Sequence, residues 1–468
     1  MNKLIIVLSF FLSCLSYAES DAILNKVEKL SYIRSAEKTE VIKGTNPVYL
    51  FEFKNGLRLV VLSDYRNPLA KFRSFFYAGS NQEKKGKTGI AHFFEHMMFR
   101  KTKNHPEGHY DKVVSSIGGQ ANAYTTKELV SYVTTFPAPA LDVILKLEYD
   151  RLTKLDLRKK YFKKEKGAIL SERSLRVENN PWQRAMEFMN FNTEKETQYE
   201  WLTIGTKKDI ENMSIKDAKS FYNLYYTPDN AIFLIGGPYD VYETVVKVHK
   251  KFKNWKGKTA YKKVILPDNY LTRNIGKKFE CSEMVSQKVY SLVFPKKYDL
   301  YKDEAILNFL NYLINYYKSG TLERRLIKKN HAIGFNFGWS GNDRLSTLKT
   351  VFSFKLSPDQ EVDNAKEMLF SELGQVKKVD INEHKKYIMK SVKYLNLKAA
   401  LKMSTLLDFS GTILSSGYPL DHLQRLIQSI KDLTQDEFEV WIDNNLLQKK
   451  FYVESINLPG KGGKCENF

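Results

Sequence analysis

One short segment carries more structural information than any other part of this chain: Gly89-Ile90-Ala91-His92-Phe93-Phe94-Glu95-His96. His92 and His96 are four residues apart and Glu95 is three after His92, so an α-helix would place all three on one face. Two neutral imidazoles can bind a divalent metal, and a carboxylate beside them can take a proton from an attacking water molecule. The order H-x-x-E-H therefore predicts a hydrolytic zinc site on a helix.

The pattern also requires a third ligand, because a catalytic zinc ion usually has three protein ligands and one open position. His105 and His109 follow in a segment that contains proline and glycine, and the other four histidines come after residue 240. An acidic residue on a second helix is therefore the expected source. Residues 163–173 have the character of such a helix, and they contain Glu165 and Glu172, seven apart and so on one face.

Together these segments resemble the pitrilysin family, which includes insulysin and the mitochondrial processing peptidases. In that family H-x-x-E-H is followed at a similar spacing by a glutamate ligand in a helix, and Glu172 lies 76 positions (172 − 96) after His96. The resemblance implies one zinc ion per chain, held by His92, His96 and Glu172, with Glu95 as the catalytic base. It also implies that Glu165 is a second catalytic acid. The alternative is that Glu165 is an ordinary solvated charge among lysines.

Residues 118–125, Gly-Gly-Gln-Ala-Asn-Ala-Tyr-Thr, resemble the G-G-x-x-N-A-x-T segment of the same family. In relatives this segment is an edge strand near the metal that pairs with the substrate backbone. Paired glycines allow a tight turn, and an open strand edge can accept an extended peptide as one more strand. The resemblance implies that Gly119, Ala121, Asn122 and Ala123 bind substrate. The alternative is a simple glycine-rich hairpin.

The length of the chain, 468 residues, is too great for one hydrophobic core, so two or more domains are expected. Lys-rich polar sequence over residues 255–285 separates two halves in which apolar strands alternate with amphipathic helices. The predicted fold class is α+β, with two homologous domains of sheet packed with helices: a catalytic zinc-peptidase domain over residues 45–260 and an inactive domain over residues 275–460. The resemblance implies that the two face one another across a chamber.

Residues 1–18 have the pattern of a secretory signal peptide, with Lys3, an apolar run over residues 4–15 and a small-x-small cleavage site that ends at Ala18. We therefore expect cleavage after Ala18 and a periplasmic or secreted protein. No later segment has the uninterrupted apolar length of a transmembrane helix.

The net charge and the distribution of basic residues indicate whether a nucleic acid is an expected partner. The formal charge is +21, from 74 basic and 53 acidic residues, but the lysines are scattered. A nucleic-acid-binding protein would concentrate them in a patch or a module, so no nucleic-acid partner is expected. Cys281 and Cys465 remain after cleavage, and the sequence leaves open whether they form a disulfide.

The second half departs from the family pattern. Many relatives carry an arginine and a tyrosine there that hold substrate near the zinc, whereas this chain has Ile327 at the arginine position and Gly334 or Phe335 at the tyrosine position. Some short relatives divide these roles between two chains. We therefore expect a homodimer, or a heterodimer with an Arg/Tyr-bearing family subunit.

The expected function is that of a zinc-dependent endopeptidase that acts on peptides or unfolded polypeptides. The alternative is a non-catalytic or zinc-bearing subunit of a heterodimeric processing peptidase, which would act as a binding or assembly partner. The missing Arg/Tyr pair favours this alternative, and the intact His92, Glu95, His96 and Glu172 argue against it. A closed structural zinc site would leave the Glu95 carboxylate without a role.

Overall fold

The structure, a computed structural model, describes residues 21–42, 44–316, 321–342, 347–400, 402–448 and 452–460. The predicted signal peptide and Cys465 lie outside these ranges, so the cleavage site stays a prediction and the pairing of Cys281 with Cys465 stays open. In the described residues, no helix combines the length and the apolar character needed to cross a membrane.

The strands are, in chain order, β1 (Ile33–Thr39), β2 (Val48–Phe53), β3 (Arg58–Ser63), β4 (Leu69–Phe76), β5 (Gln120–Thr125), β6 (Val130–Pro137), β7 (Ala231–Gly237), β8 (Lys278–Glu283), β9 (Lys288–Lys297), β10 (Gly334–Asn342), β11 (Thr347–Leu356) and β12 (Val453–Pro459). The α-helices are α1 (21–28), α2 (Ile90–Met97), α3 (His109–Ser116), α4 (Leu141–Thr153), α5 (Lys159–Arg173), α6 (Pro181–Thr193), α7 (Lys207–Asn212), α8 (Ile215–Tyr225), α9 (Val241–Phe252), α10 (Leu300–Asn311), α11 (Thr321–Lys328), α12 (Val362–Val376), α13 (Ile381–Ala400), α14 (Met403–Ser415), α15 (His422–Asp432) and α16 (Gln435–Ile442).

The chain forms two compact units. One unit runs to Gly167 and takes in Thr203–Lys262 and Ala399–Asp421, and the other takes in Ala168–Leu202, Lys263–Lys398 and the described residues from His422 onward. The division falls inside α5, which is one continuous helix.

The first unit is built on a seven-stranded sheet in the order β1-β2-β3-β7-β4-β6-β5. Neighbouring strands are antiparallel except for the parallel pair β3 and β7. The apolar pattern of the sequence predicts strands over residues 58–63 and 71–77, and these segments correspond to β3 and β4. Strand β5 contains most of the segment for which the resemblance implied an edge strand, and it does lie at the edge of the sheet.

Helix α14 comes late in the sequence but packs against β3, β4 and β7 of the first sheet. Gly411 allows the close approach, since a Cβ at this position would lie 2.6 Å from side-chain atoms of both Leu234 and Phe75. Asp408, on the same helix, forms ion pairs with the buried Lys71 and Arg73 of β4. The predicted domains, two consecutive blocks of sequence, did not contain this feature.

The second unit has a five-stranded sheet in the order β10-β11-β9-β12-β8, in which only β12 and β8 are parallel. Its core joins fully buried residues of the sheet and of the helices, such as Leu292, Phe352, Ile306 and Leu369. In this half the sequence pattern predicts strands over residues 288–294 and 349–355, and these segments lie in β9 and β11. It also predicts a helix over residues 303–317, which overlaps α10.

The predicted start of α12 was wrong. The triplet Ser357-Pro358-Asp359 predicts a capped helix, whereas α12 begins at Val362 after Glu361, whose backbone is extended. The Gln360 side-chain oxygen accepts a hydrogen bond from the Ser357 N–H at 2.8 Å, and the Gln360 N–H donates to the Ser357 carbonyl at 3.1 Å. These two hydrogen bonds stabilise a turn that contains Ser357 and Pro358 and that ends before the helix begins.

Candidate metal centre

The start of α2 is fixed by a carboxylate from outside the helix. Gly89 and Ala91 donate their N–H groups to the two oxygens of the buried Glu83 side chain, at 3.0 and 2.8 Å. Glu83 therefore does the work of a capping residue and complements the positive end of the helix dipole. Gly89 itself has a φ of 87°, and an added Cβ would lie 2.6 Å from the Ile204 carbonyl oxygen, so this position favours glycine.

Helices α2 and α5 bring His92, His96 and Glu172 together. A ligand atom from each of these residues lies within 4.8 Å of the other two. His92 is buried, and His96 and Glu172 are partly exposed. The two imidazole centroids are 4.7 Å apart, and their planes are inclined at 66°. Two imidazoles and a carboxylate are a donor set that suits zinc, and their ligand atoms lie close enough together to hold one ion.

Glu165 holds His96 by the ring nitrogen Nδ1. Oε1 of Glu165 lies 2.9 Å from Nδ1, and the carboxylate also accepts hydrogen bonds from Arg100 Nε at 2.5 Å and Nη2 at 3.1 Å. Burial raises the pKa of the Glu165 carboxyl, but the hydrogen bonds from His96 and Arg100 outweigh burial and keep this pKa below its usual value. The carboxylate is therefore charged and accepts the Nδ1 proton, which leaves Nε2 of His96 for a metal.

Burial excludes one of the two descriptions of Glu165 that the sequence left open, and its role as a second catalytic acid stays a prediction. Glu165 is only 1% exposed. It is therefore not a solvated helix charge.

Glu172 lies two helical turns further along α5 and forms an ion pair with Arg176 at 3.0 Å. Because Arg176 is 73% exposed, this pair stabilises the fold little.

Glu95 is held by the sheet. Thr125 is the last residue of β5, and its hydroxyl donates a hydrogen bond to Oε2 of Glu95, with 2.5 Å between the two oxygens. Along β5 the side chains alternate, and Ala121, Ala123 and Thr125 share the half-buried face. Within the described residues β5 pairs with β6 on one side, and its other edge carries no partner strand.

A cavity of about 300 Å³ opens beside these groups. It is lined by Glu95, His96, Phe99, Arg100, Asp111, Ala121, Asn122 and Ala123. Three of the predicted substrate-binding residues thus share one cavity with the predicted base and one predicted ligand. Gly119, the fourth, precedes β5 and is not part of this lining, and a Cβ added to it would lie 2.9 Å from the Thr135 carbonyl oxygen.

Three residues that hold the site had no predicted role: Glu83, Arg100 and Thr125. Arg100 follows His96 by four residues, so helical spacing could have indicated that it lies on the same side as the ligand. Thr125 stood inside the segment that carried the resemblance. Glu83 lies in irregular sequence, and no spacing rule connects it to the helix that it caps.

Comparison with known proteins gives matches to two peptidase family models and to a zinc protease. The family model described as Insulinase (Peptidase family M16) matches residues 59–207, and the model described as Peptidase M16 inactive domain matches residues 212–389. The zinc protease PqqE of Helicobacter pylori is 31% identical over 340 residues, which cover 70% of this chain and 74% of that protein.

Two solved structures share the fold. A crystal structure of a protease from Helicobacter pylori has a TM-score of 0.76 at 24% identity and covers 92% of this chain and 100% of that one. The first half of the periplasmic protease PqqL from Escherichia coli has a TM-score of 0.73 at 16% identity and covers 88% of this chain and 92% of that one.

A two-unit α+β fold with an H-x-x-E-H helix packed against β5 and β6 of its first sheet is typical of the inverted-motif metallopeptidases. The chain belongs to peptidase family M16, the insulinase family, and consists of an M16 domain followed by an M16 inactive domain. The predicted family and the two homologous α+β domains are confirmed. The chamber between them stays a prediction.

Proposed function

We propose that this chain is a zinc-dependent endopeptidase that hydrolyses peptide bonds of peptides or unfolded polypeptides in the periplasm or outside the cell. The observation that carries the proposal is the meeting of His92, His96 and Glu172 within 4.8 Å, with Glu95 on the same helix as the histidines. The zinc protease among the relatives supports the activity. The signal-peptide pattern and the periplasmic protease of similar fold support the location.

His92, His96 and Glu172 would hold the zinc ion, which when bound supplies Lewis-acid activation of water and of the scissile carbonyl. Glu95 accepts the proton of the attacking water molecule and returns it to the leaving amine. Thr125 holds Oε2 of Glu95 and so restricts rotation of this carboxylate. Glu165 keeps the His96 ring in the orientation and tautomer that a metal ligand needs.

The edge of β5 binds the substrate as an added strand, through the backbone around Ala121, Asn122 and Ala123, and the Gly119 turn sets the start of this edge. An added strand needs backbone N–H and C=O groups that are not already hydrogen-bonded. Folded proteins present few such segments, whereas peptides and unfolded chains present many. The substrate class follows from this requirement.

A second candidate function is that of the zinc-bearing subunit of a two-chain processing peptidase. The observation that favours it is Ile327, half exposed on α11 where many relatives have a substrate-holding arginine. In that case the partner is a second copy of this chain or an Arg/Tyr-bearing family subunit. Light scattering of the purified chain, combined with its peptidase activity, separates the two candidates.

The test uses the mature chain purified alone, an unstructured fluorescence-quenched peptide and a metal assay on the same sample. We expect hydrolysis that a chelator abolishes and that added zinc restores. Bound zinc without hydrolysis by the isolated chain would favour the subunit function. Hydrolysis that is unaffected by metal removal would contradict the proposal.

A further inference from the structure

We propose that the cavity beside β5 is a side-chain pocket that selects lysine or arginine next to the scissile bond, with Asp111 as the specificity-determining residue. The inference rests on the proposed peptidase function and adds the class of substrate to it.

The position of the cavity connects it to one particular substrate residue. A peptide that pairs with β5 places alternate side chains on the face of Ala121 and Ala123, and this face borders the cavity. Glu95 and His96 line the same cavity, so the side chain that enters it belongs to a residue beside the reacting carbonyl. Because the two alanines are small, the volume of about 300 Å³ has room for a long side chain.

The charges of the cavity favour a cation. Arg100 lines it, but its guanidinium donates two hydrogen bonds to the buried Glu165, whose charge balances it. Asp111 is exposed, and in the described part of the chain its carboxylate forms no hydrogen bond or ion pair. A substrate ammonium or guanidinium group would therefore meet an available carboxylate. A substrate carboxylate would be repelled by the like charges of both Asp111 and Glu95.

The charges around Arg100 place further acidic groups nearby. The pKa of Arg100 is raised, mainly by its hydrogen bond to Glu165 and further by the charges of Glu107 and Asp111. Glu107 pairs with the exposed Lys164 at 2.7 Å, so Asp111 is the carboxylate left to a ligand.

The wall of the pocket suits the aliphatic part of a long basic side chain. The Phe99 ring lines the cavity and packs edge-on against Tyr110 at a centroid distance of 5.4 Å. The buried Arg151 lies 4.8 Å from the Tyr110 ring centre and 5.4 Å from that of Phe99, so both rings are fixed from behind. Lysine and arginine place their methylene groups on such apolar surface while the charge reaches a polar end. Asp111 directly follows Tyr110 on α3 and provides that end.

Asp111 also lies in the first turn of α3, where an acidic residue complements the helix dipole. A matched position separates this role from substrate selection. Asp436 is an exposed acidic residue in the first turn of α16, far along the chain and not part of the cavity lining. Charge reversal at either residue disturbs a helix start, but only reversal at Asp111 changes the cavity.

The experiment compares the zinc-loaded wild-type chain with the Asp111→Lys, Asp111→Asn and Asp436→Lys variants. Each acts on matched quenched peptides that differ only in the residue beside the cleaved bond, which is lysine, leucine or glutamate on either side, with the cleaved bond identified by mass spectrometry. We expect the wild-type kcat/KM for the best lysine peptide to exceed that of its glutamate counterpart about tenfold. Asp111→Asn should lower this ratio, Asp111→Lys should reverse it, and Asp436→Lys should keep it.

Two results would overturn the assignment of the pocket alone: equal cleavage of lysine and glutamate peptides by the wild-type chain, or an unchanged ratio in Asp111→Lys. Failure of the zinc-loaded wild-type chain to cleave any peptide would overturn the proposed peptidase function together with it.

Discussion

The hydroxyl of Thr125 connects the proposed catalytic base with the strand that is proposed to bind substrate. Its hydrogen bond to Glu95 spans 30 residues of sequence and joins the end of β5 to α2. A hydrogen bond to a charged group stabilises one orientation more strongly than a neutral one does. The orientation of Glu95 therefore depends on the position of β5.

Removal of this hydroxyl should slow the reaction without loss of metal. In Thr125→Val, Glu95 loses its donor, and we expect kcat to fall about tenfold while KM changes little. Thr125→Ser keeps a hydroxyl and should retain most of the wild-type kcat. Steady-state kinetics with zinc content as a control makes the test. Equal kcat in the valine and wild-type chains would show that Thr125 does not position the base.

Glu165 should act through His96 on metal affinity. In Glu165→Gln the amide no longer provides the charged acceptor for Nδ1, so we expect zinc affinity to fall about 10- to 100-fold. Competition with a chromophoric chelator measures this affinity. Glu107→Gln, a neutralised acidic residue on the surface near Arg100, should leave it unchanged. Equal affinities of all three proteins would contradict the proposed role of Glu165.

At the residue scale the sequence predicted the groups that follow a local period. His92, Glu95 and His96 are related by helical spacing, and family resemblance supplied Glu172. The contacts that orient them join distant segments: Thr125 lies 30 residues from Glu95, and Glu165 lies 69 residues from His96. Periodicity describes only neighbours along one element, so it gave no reason to connect these pairs.

At the scale of elements, the packing of α14 on the first sheet depends on Gly411. A methyl group in its place would lie 2.6 Å from both Leu234 and Phe75, which are held in the interior of the sheet. We expect Gly411→Ala to lower the free energy of unfolding by about 1–3 kcal/mol, the usual effect of overpacking. Urea denaturation followed by circular dichroism measures it.

Gly374 offers a matched control. It lies within α12, and a Cβ there would meet no atom within 4 Å. Gly374→Ala should therefore raise stability by about 0.5–1 kcal/mol through helix propensity alone. If Gly411→Ala stabilised the protein as Gly374→Ala does, the close packing of α14 would be contradicted.

The elements that were predicted well are those in which apolar residues recur in a regular pattern along the sequence. Strands β3, β9 and β11 were found at nearly their observed bounds. The start of α12 was not, because Ser357 and Pro358 suit a turn as well as a helix start, and the Gln360 side chain favours the turn. The local sequence pattern also could not predict which sheet α14 packs on. An apolar helix face indicates that this face is buried, but it does not indicate which element covers it.

At the scale of the whole molecule, α14 makes the first sheet depend on the C-terminal half of the sequence. A fragment that ends at Lys262 would leave Lys71 and Arg73 without Asp408 and would uncover the apolar surface around Phe75. Buried charges without partners and exposed apolar surface both destabilise a fold. We expect this fragment to be insoluble or to lack cooperative unfolding, while the full mature chain unfolds cooperatively. A soluble fragment with the thermal stability of the full chain would refute this dependence.

The length of the chain and the alternation of strands and helices predicted two α+β repeats of similar plan, and the family resemblance identified them as homologous domains. The contribution of α14 to the first sheet was not predictable, because domain bounds drawn on a sequence assume consecutive segments. The ion pairs of Asp408 with Lys71 and Arg73 show the physical reason for the exception: polar groups on β4 find their partner more than 300 residues away.

The central claim is that Glu95 is the base of a zinc site formed by His92, His96 and Glu172. The most direct measurement is the zinc content and the peptide turnover of Glu95→Gln beside the wild-type chain, with His92→Ala as the metal-free reference. We expect Glu95→Gln to retain one zinc ion per chain while kcat falls at least about 100-fold, and His92→Ala to lose both zinc and activity. A zinc-loaded Glu95→Gln protein that turns over peptide at the wild-type rate would contradict the claim.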